Sequence, residues 1–145
     1  MGNNCNEKNL MNRKSISPFS ATVTIGLEYG YDKVEINKSE IIGFIQAYQN
    51  KLIEEKRIYL SCSVTECSIV LSGQFEPHLK LGFINYPKFP LEHDILKTEI
   101  EELTEKLMEN FNQNRIVIEY LDETVMLEMN SDEIDGRIIS ERRQE

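Results

Sequence analysis

Few side chains in this 145-residue chain can do nucleophilic or metal chemistry. There are two histidines, His78 and His93, and three cysteines, Cys5, Cys62 and Cys67. A structural zinc site asks for four ligands, usually in two close pairs. Cys62 and Cys67 stand five apart, with no C-x-x-C, and His78 and His93 are not paired with them in spacing, so no metal site is expected. A cysteine nucleophile needs a neighbour that lowers its thiol pKa. His78, at a strand entrance after Pro77, is the candidate neighbour for the Cys62 region. Cys62 also shares the apolar parity of Ile58, Leu60 and Val64, which marks it as a small core residue. His93, in the first turn of an acidic helix, suits surface hydrogen bonding.

Carboxylates offer a second chemistry. Glu28 is the one charge on a long alternating segment, on the face of Thr22, Thr24 and Gly26. If that face is partly covered, desolvation raises the pKa of the acid and suits it to proton transfer. Glu119, on the opposite parity from Ile118, is a similar charge, and two carboxylates on one open sheet face can move protons or hold a cation. The plainer reading is a solvent-facing pair of strand charges. Glu28, Cys62 and His78 are thus the catalytic candidates. Gly26 and Gly30 lack the third glycine and the Lys-Ser of a phosphate loop, and G-x-S-x-G is absent. No cofactor is expected.

These residues must be positioned by regular elements. From Phe19 to Tyr31 every odd residue is apolar and every even one polar or Gly, which predicts a long strand that bends near Gly30. Asn37 reads as a helix N-cap, with Glu40 completing a capping box and Ile36 and Ile41 forming a staple. The helix stripe Ile41, Phe44, Ile45, Tyr48, Leu52 and Ile53 ends near Lys56. Alternation over 57–64 and again over 67–75 predicts two strands with a turn at Thr65-Glu66, or one long bent strand. Glu76-Pro77 marks a break before a further strand, His78 to Tyr86. A second helix is predicted over 91–112, then strands at 115–121 and through Val125, Leu127 and Met129, joined at Asp122-Glu123.

The order β-α-β-β-β-α-β-β predicts an α+β fold, a ferredoxin-like sandwich with a mostly antiparallel sheet and both helices on one face. Residues 18–130 form the domain, 1–17 a flexible arm and 131–145 a polar tail. At 40% hydrophobic and 28% charged residues the chain can build its own core. Its net charge of −9 argues against nucleic acid as a ligand. No apolar run approaches a membrane span. The polar N-terminus lacks the apolar core of a signal peptide, so the cytoplasm is the expected compartment, and three cysteines suit it.

The uncovered sheet face is expected to carry Val70, Ile84, Val117, Leu121 and Met126 among polar residues, which is too apolar for a wholly wet surface. Self-association, most simply as a homodimer, would cover it. The leading functional expectation is a self-associating binding or regulatory module without catalysis. One alternative is a small enzyme with an acid–base site at a subunit-interface pocket, using Glu28 or the Cys62/His78 region. Another is an acidic protein that docks on a basic protein partner.

Overall fold

The computed structural model describes residues 10–30 and 33–129. Residues 10–19 carry no regular element; the polar tail expected over 131–145 lies outside the described residues. The elements are β1 (Ser20–Gly26), β2 (Glu28–Tyr29), β3 (Val34–Glu35), α1 (Lys38–Lys56), β4 (Ser63–Leu71), β5 (Gln74–Ile84), α2 (His93–Asn110), β6 (Arg115–Tyr120) and β7 (Thr124–Glu128). Five strands form one antiparallel sheet in the order β4-β5-β1-β6-β7. Each helix links strands that are not adjacent, so the two β-α-β units interleave. The fold is α+β, as the alternating patterns predict.

The apolar face of β1 organises the core. Ala21, Val23 and Ile25 are essentially fully buried. The register places Val23 beside Leu81 of β5 and Ile118 of β6. Ile41, Ile45 and Leu52 of α1 and Leu96, Ile100, Leu103 and Leu107 of α2 join these side chains in one cluster. Both helices therefore lie on one face, as their single apolar stripes require.

Asn37 caps α1: its Oδ1 accepts from the Ser39 backbone N–H at 3.0 Å. Ile36 and Ile41 are both buried, as a hydrophobic staple should be. Glu40 does not reach back to the cap; its Oε2 accepts from the Tyr29 hydroxyl at 3.3 Å. The helix stops at Arg57, whose left-handed backbone (φ 57°) lets its N–H return to the Ile53 carbonyl. The helices are further tied by Glu99 of α2. This buried carboxylate accepts from Lys56 Nζ at 2.9 Å and from the Tyr48 hydroxyl at 3.4 Å. Burial, then the nearby Glu102 and Glu99 charges, hold the Tyr48 phenol far above its ordinary pKa, so it remains a donor.

Three strand expectations are corrected. The chain from Arg57 to Cys62 is not a strand, and no turn forms at Thr65-Glu66; the hairpin turns at Ser72-Gly73 instead. β5 passes straight through Pro77. The Pro77 carbonyl faces the β1 side, where it accepts from Leu27 N–H at 3.0 Å, so the missing N–H faces the same side, just beyond the end of β1. The first strand ends at Gly26 and does not run on to Tyr31; Glu28–Tyr29 pairs instead with Val34–Glu35 in a separate two-stranded ribbon.

The face assignment also shifts along β4. Val70 lies opposite Phe75 on the helix side, whereas Ile69 and Leu71 lie on the helix-free side. This end of the hairpin extends beyond the helices, so Val70, Leu71 and Phe75 remain well exposed despite their apolar character. Ile84, Leu121 and Met126 are exposed, as expected for an uncovered face. Among the described residues, no helix is long and apolar enough to cross a membrane.

Replacing Asn37 by Ala should remove the α1 cap and cost about 1 kcal/mol. Urea unfolding followed by circular dichroism should show a lower midpoint with an unchanged slope.

Candidate functional site

A cleft of about 170 Å³ opens where β1 ends, lined by Gly26, Glu28, Glu76, His78, Gln113 and Arg115, among others. It exists because the pairing of β1 with β6 stops at Thr24 opposite Val117, while β5 continues. The gap is closed by one buried amide. Gln113 accepts from Gly26 N–H through Oε1 at 3.2 Å, and its Nε2 donates to the carbonyls of Glu28 at 2.8 Å and Phe111 at 3.1 Å. Side-chain bonds thus replace the missing ladder bonds. A Cβ on Gly26 would sit 3.0 Å from Gln113 Oε1, so glycine is what permits this approach. Gly30 (φ 49°) turns the ribbon and donates its N–H to the Asn112 carbonyl at 2.9 Å.

His78 Nδ1 lies 3.2 Å from the Glu76 carbonyl. A carbonyl only accepts, so Nδ1 carries the hydrogen, and in the neutral ring Nε2 is left as the acceptor. Gly26 leaves room beside that nitrogen: a Cβ there would stand 3.5 Å from it. Arg115 Nε is held by Glu128 Oε2 at 3.1 Å. The cleft therefore combines two carboxylates, an imidazole nitrogen able to take a proton, and a guanidinium. Such a set can bind a ligand carrying both an ammonium and a carboxylate group.

Glu28 and His78 are brought to this one cleft. Cys62 is not. It precedes β4 and donates weakly to the Ser63 carbonyl at 3.4 Å, and burial pushes its thiol pKa up to about 11. The cysteine level with His78 in the sheet is Cys67. Cys62 thus stands apart from the cleft that Glu28 and His78 line. Glu119 does not join Glu28: it lies on β6 opposite Thr22, whereas Glu28 has left the sheet. His93 packs edge-on against Phe19, with centroids 5.3 Å apart. Among the described residues, no group of three or more His, Cys, Asp or Glu is placed to hold a metal.

Gln113, Arg115 and Glu76 were not legible as site residues. Their spacing carries no motif; only the tertiary end of β1 gathers them. A second, larger concavity was also unforeseen. This groove of about 460 Å³ lies between α1 and the loop after β5, lined by Asn50, Ile53, Tyr59, Leu60, Tyr86 and Phe89, among others. The run Tyr86-Pro87-Lys88-Phe89-Pro90 was the available signal: two prolines fix a short loop that carries aromatic rings.

No protein-family model matches the chain, and no curated protein matches it in sequence. Solved structures do resemble it. A phage SAM lyase in complex with S-methyl-5'-thioadenosine aligns with a TM-score of 0.63 at 19% identity, covering 83% of this chain and 97% of that one. A phage SAM lyase in the apo state aligns with a TM-score of 0.65 at 18% identity, covering 84% and 98%. At this identity the likeness establishes the fold. The two chains that this protein aligns with are phage SAM lyases, which overturns the expectation of a binding or regulatory module without catalysis.

Cys62 should alkylate slowly. With its pKa near 11, only about a thousandth is thiolate at pH 8. Iodoacetamide labelling followed by peptide mass spectrometry should show its rate rising about tenfold per pH unit from 8 to 10. A rate already level at pH 8 would restore Cys62 as a nucleophile.

Proposed function

We propose that this protein is a cytoplasmic enzyme that cleaves S-adenosylmethionine, or a sulfonium compound of the same build, to S-methyl-5'-thioadenosine. The observation that carries this reading is the near-complete structural coverage of two phage SAM lyase chains. The chain's own residues support it. The substrate's sulfonium and ammonium groups are cationic, which suits a protein of net charge −9 whose cleft bears Glu28 and Glu76. Arg115 can take the substrate carboxylate.

The product defines the broken bond. S-Methyl-5'-thioadenosine keeps the methyl and adenosyl groups on sulfur, so the bond from sulfur to Cγ of the amino-acid chain breaks. Its electron pair goes to sulfur and neutralises the sulfonium. A lyase adds no water, so the four-carbon fragment completes Cγ internally. Either its own carboxylate attacks Cγ and closes a lactone, or a base removes a Cβ proton and leaves an alkene. Glu28 and His78 Nε2 are the groups able to take that proton. In the lactone route the same groups hold the chain in position for displacement.

Self-association belongs to this reading, with the cleft at a subunit interface. It is supported by exposed Ile84 and Met126 on the helix-free face, by Ile69 and Leu71 at the protruding hairpin, and by the free edge of β4.

Incubation with S-adenosylmethionine should yield S-methyl-5'-thioadenosine by liquid chromatography, and Glu28→Gln should lower kcat/KM by about 100-fold. No S-methyl-5'-thioadenosine from the wild-type protein would overturn the activity. Light scattering should report more than one chain per particle, and a smaller mass for Ile84→Lys, which would place an unpaired charge in the interface.

A further inference from the structure

Glu28 sits on a strand of two residues, outside the five-stranded sheet. Across that ribbon it faces Glu35, and like charges directly opposite each other repel. The ribbon by itself therefore gives Glu28 no fixed place over the cleft. What fixes it is the turn that follows α2. Three alternate residues of the departing chain, Gly26, Glu28 and Gly30, bond to that turn along one edge. Gly26 N–H donates to Gln113 Oε1 at 3.2 Å, the Glu28 carbonyl accepts from Gln113 Nε2 at 2.8 Å, and Gly30 N–H donates to the Asn112 carbonyl at 2.9 Å. This alternation is that of a strand ladder, with one side chain standing in for a neighbouring strand.

Gln113 suits this role because it is itself held. Asn112 turns the chain with φ 50°, and the Gln113 backbone N–H then donates to the Met108 carbonyl at 3.0 Å, which anchors it to the end of α2. The residue is only 7% exposed, and its second Nε2 hydrogen goes to the Phe111 carbonyl at 3.1 Å. The amide therefore has one orientation. Flipped, it would set its oxygen against two carbonyls and its NH2 group against the Gly26 N–H. A side chain with one rotamer and one amide orientation transmits the position of α2 directly to the backbone of Glu28.

We infer that Gln113 is a positioning residue for the proposed reaction, acting through Glu28. The inference rests on the proposed activity for what Glu28 does, and adds which group places it. A displacement of about 1 Å at a group that acts on the substrate can cost about a hundredfold in rate. Gln113 therefore affects turnover without touching the substrate.

The test compares Gln113→Glu, Glu28→Gln and the double variant in turnover of S-adenosylmethionine by the full chain. Gln113→Glu keeps the size and the acceptor toward Gly26 but turns an oxygen on the Glu28 and Phe111 carbonyls. It should lower kcat/KM about tenfold or more, divided between kcat and KM as in Glu28→Gln. Added to Glu28→Gln, it should change kcat/KM by no more than about twofold, since the group it positions is already gone. Asn37→Ala, which loses stability away from the cleft, should keep the wild-type kcat/KM. If circular dichroism shows that Gln113→Glu does not fold, Gln113→Met, which buries no charge, takes its place in the same cycle. Wild-type kcat/KM in the Gln113 variant, or losses that simply add in the double variant, overturns the inference. The backbone amide signals of Gly26, Glu28 and Gly30 in nuclear magnetic resonance give a readout independent of turnover. They should shift and exchange faster in the Gln113 variant, while Val23 of β1 keeps its wild-type signal. Unchanged signals overturn the positioning. Shifted signals with no turnover by the wild-type protein sustain the placement of Glu28 by Gln113 and overturn the lyase activity instead.

Discussion

The structure depends on β1 being bonded on both edges while burying one face. Its neighbours β5 and β6 are both antiparallel to it, and Ala21, Val23 and Ile25 meet the two helices. A central strand cannot slip by one residue without turning its apolar set to solvent and its threonines into the core. That constraint fixes the registers of β5 and β6, and through the connections it fixes where α1 and α2 must land. The Lys56–Glu99–Tyr48 contact then adds a polar tie between the helices. Breaking one partner there is costly, because a buried carboxylate is left without its compensating charge.

The cleft is a by-product of how that strand stops. Gly26 is the last residue paired with β5, and pairing with β6 has already ended. The exposed backbone groups are taken up by Gln113, by Pro77 and by the Asn112 carbonyl. Each of these contacts also places a wall of the cleft. The amide of Gln113 fixes the backbone of Glu28, and the Glu76 carbonyl sets the tautomer of His78. The backbone repair and the functional geometry are therefore the same set of hydrogen bonds, so loss of Gln113 would disturb both together.

Charge and shape divide between the two ends of the molecule. The cleft is polar, small and flanked by carboxylates; the groove is apolar, larger and aromatic. A sulfonium nucleoside has both characters in one molecule, with a cationic amino-acid end and a flat base. The helix-free face joins exposed Ile84 and Met126 to the polar Thr22, Thr24 and Glu119 at the sheet centre.

Much of the local structure was readable from the sequence because it rests on short-range physics. The period-2 pattern of 19–26, the Asn37 cap, the Ile36–Ile41 staple and the stripe of α2 act within a few residues of each other. The helix-free face and the exposure of Ile84 and Met126 followed from the same parity. The errors arose where a local signal competed with pairing. Apolar alternation over 58–75 suggested two short strands, yet the chain forms one edge strand from Ser63 to Leu71. The pairing of that strand with β5 places the turn at Ser72-Gly73 and carries β5 through Pro77. Glu28 and His78 were recognisable as residue types capable of chemistry, and Cys62 was not excluded by spacing. Only the tertiary structure decided that Glu28 and His78 line one cleft, that Cys62 lies half-buried apart from it, and that Gln113 and the Tyr59/Tyr86/Phe89 stack exist as units. The reason is physical: sequence patterns report which face of an element is apolar, whereas a site depends on where unrelated elements end and which side chains meet there.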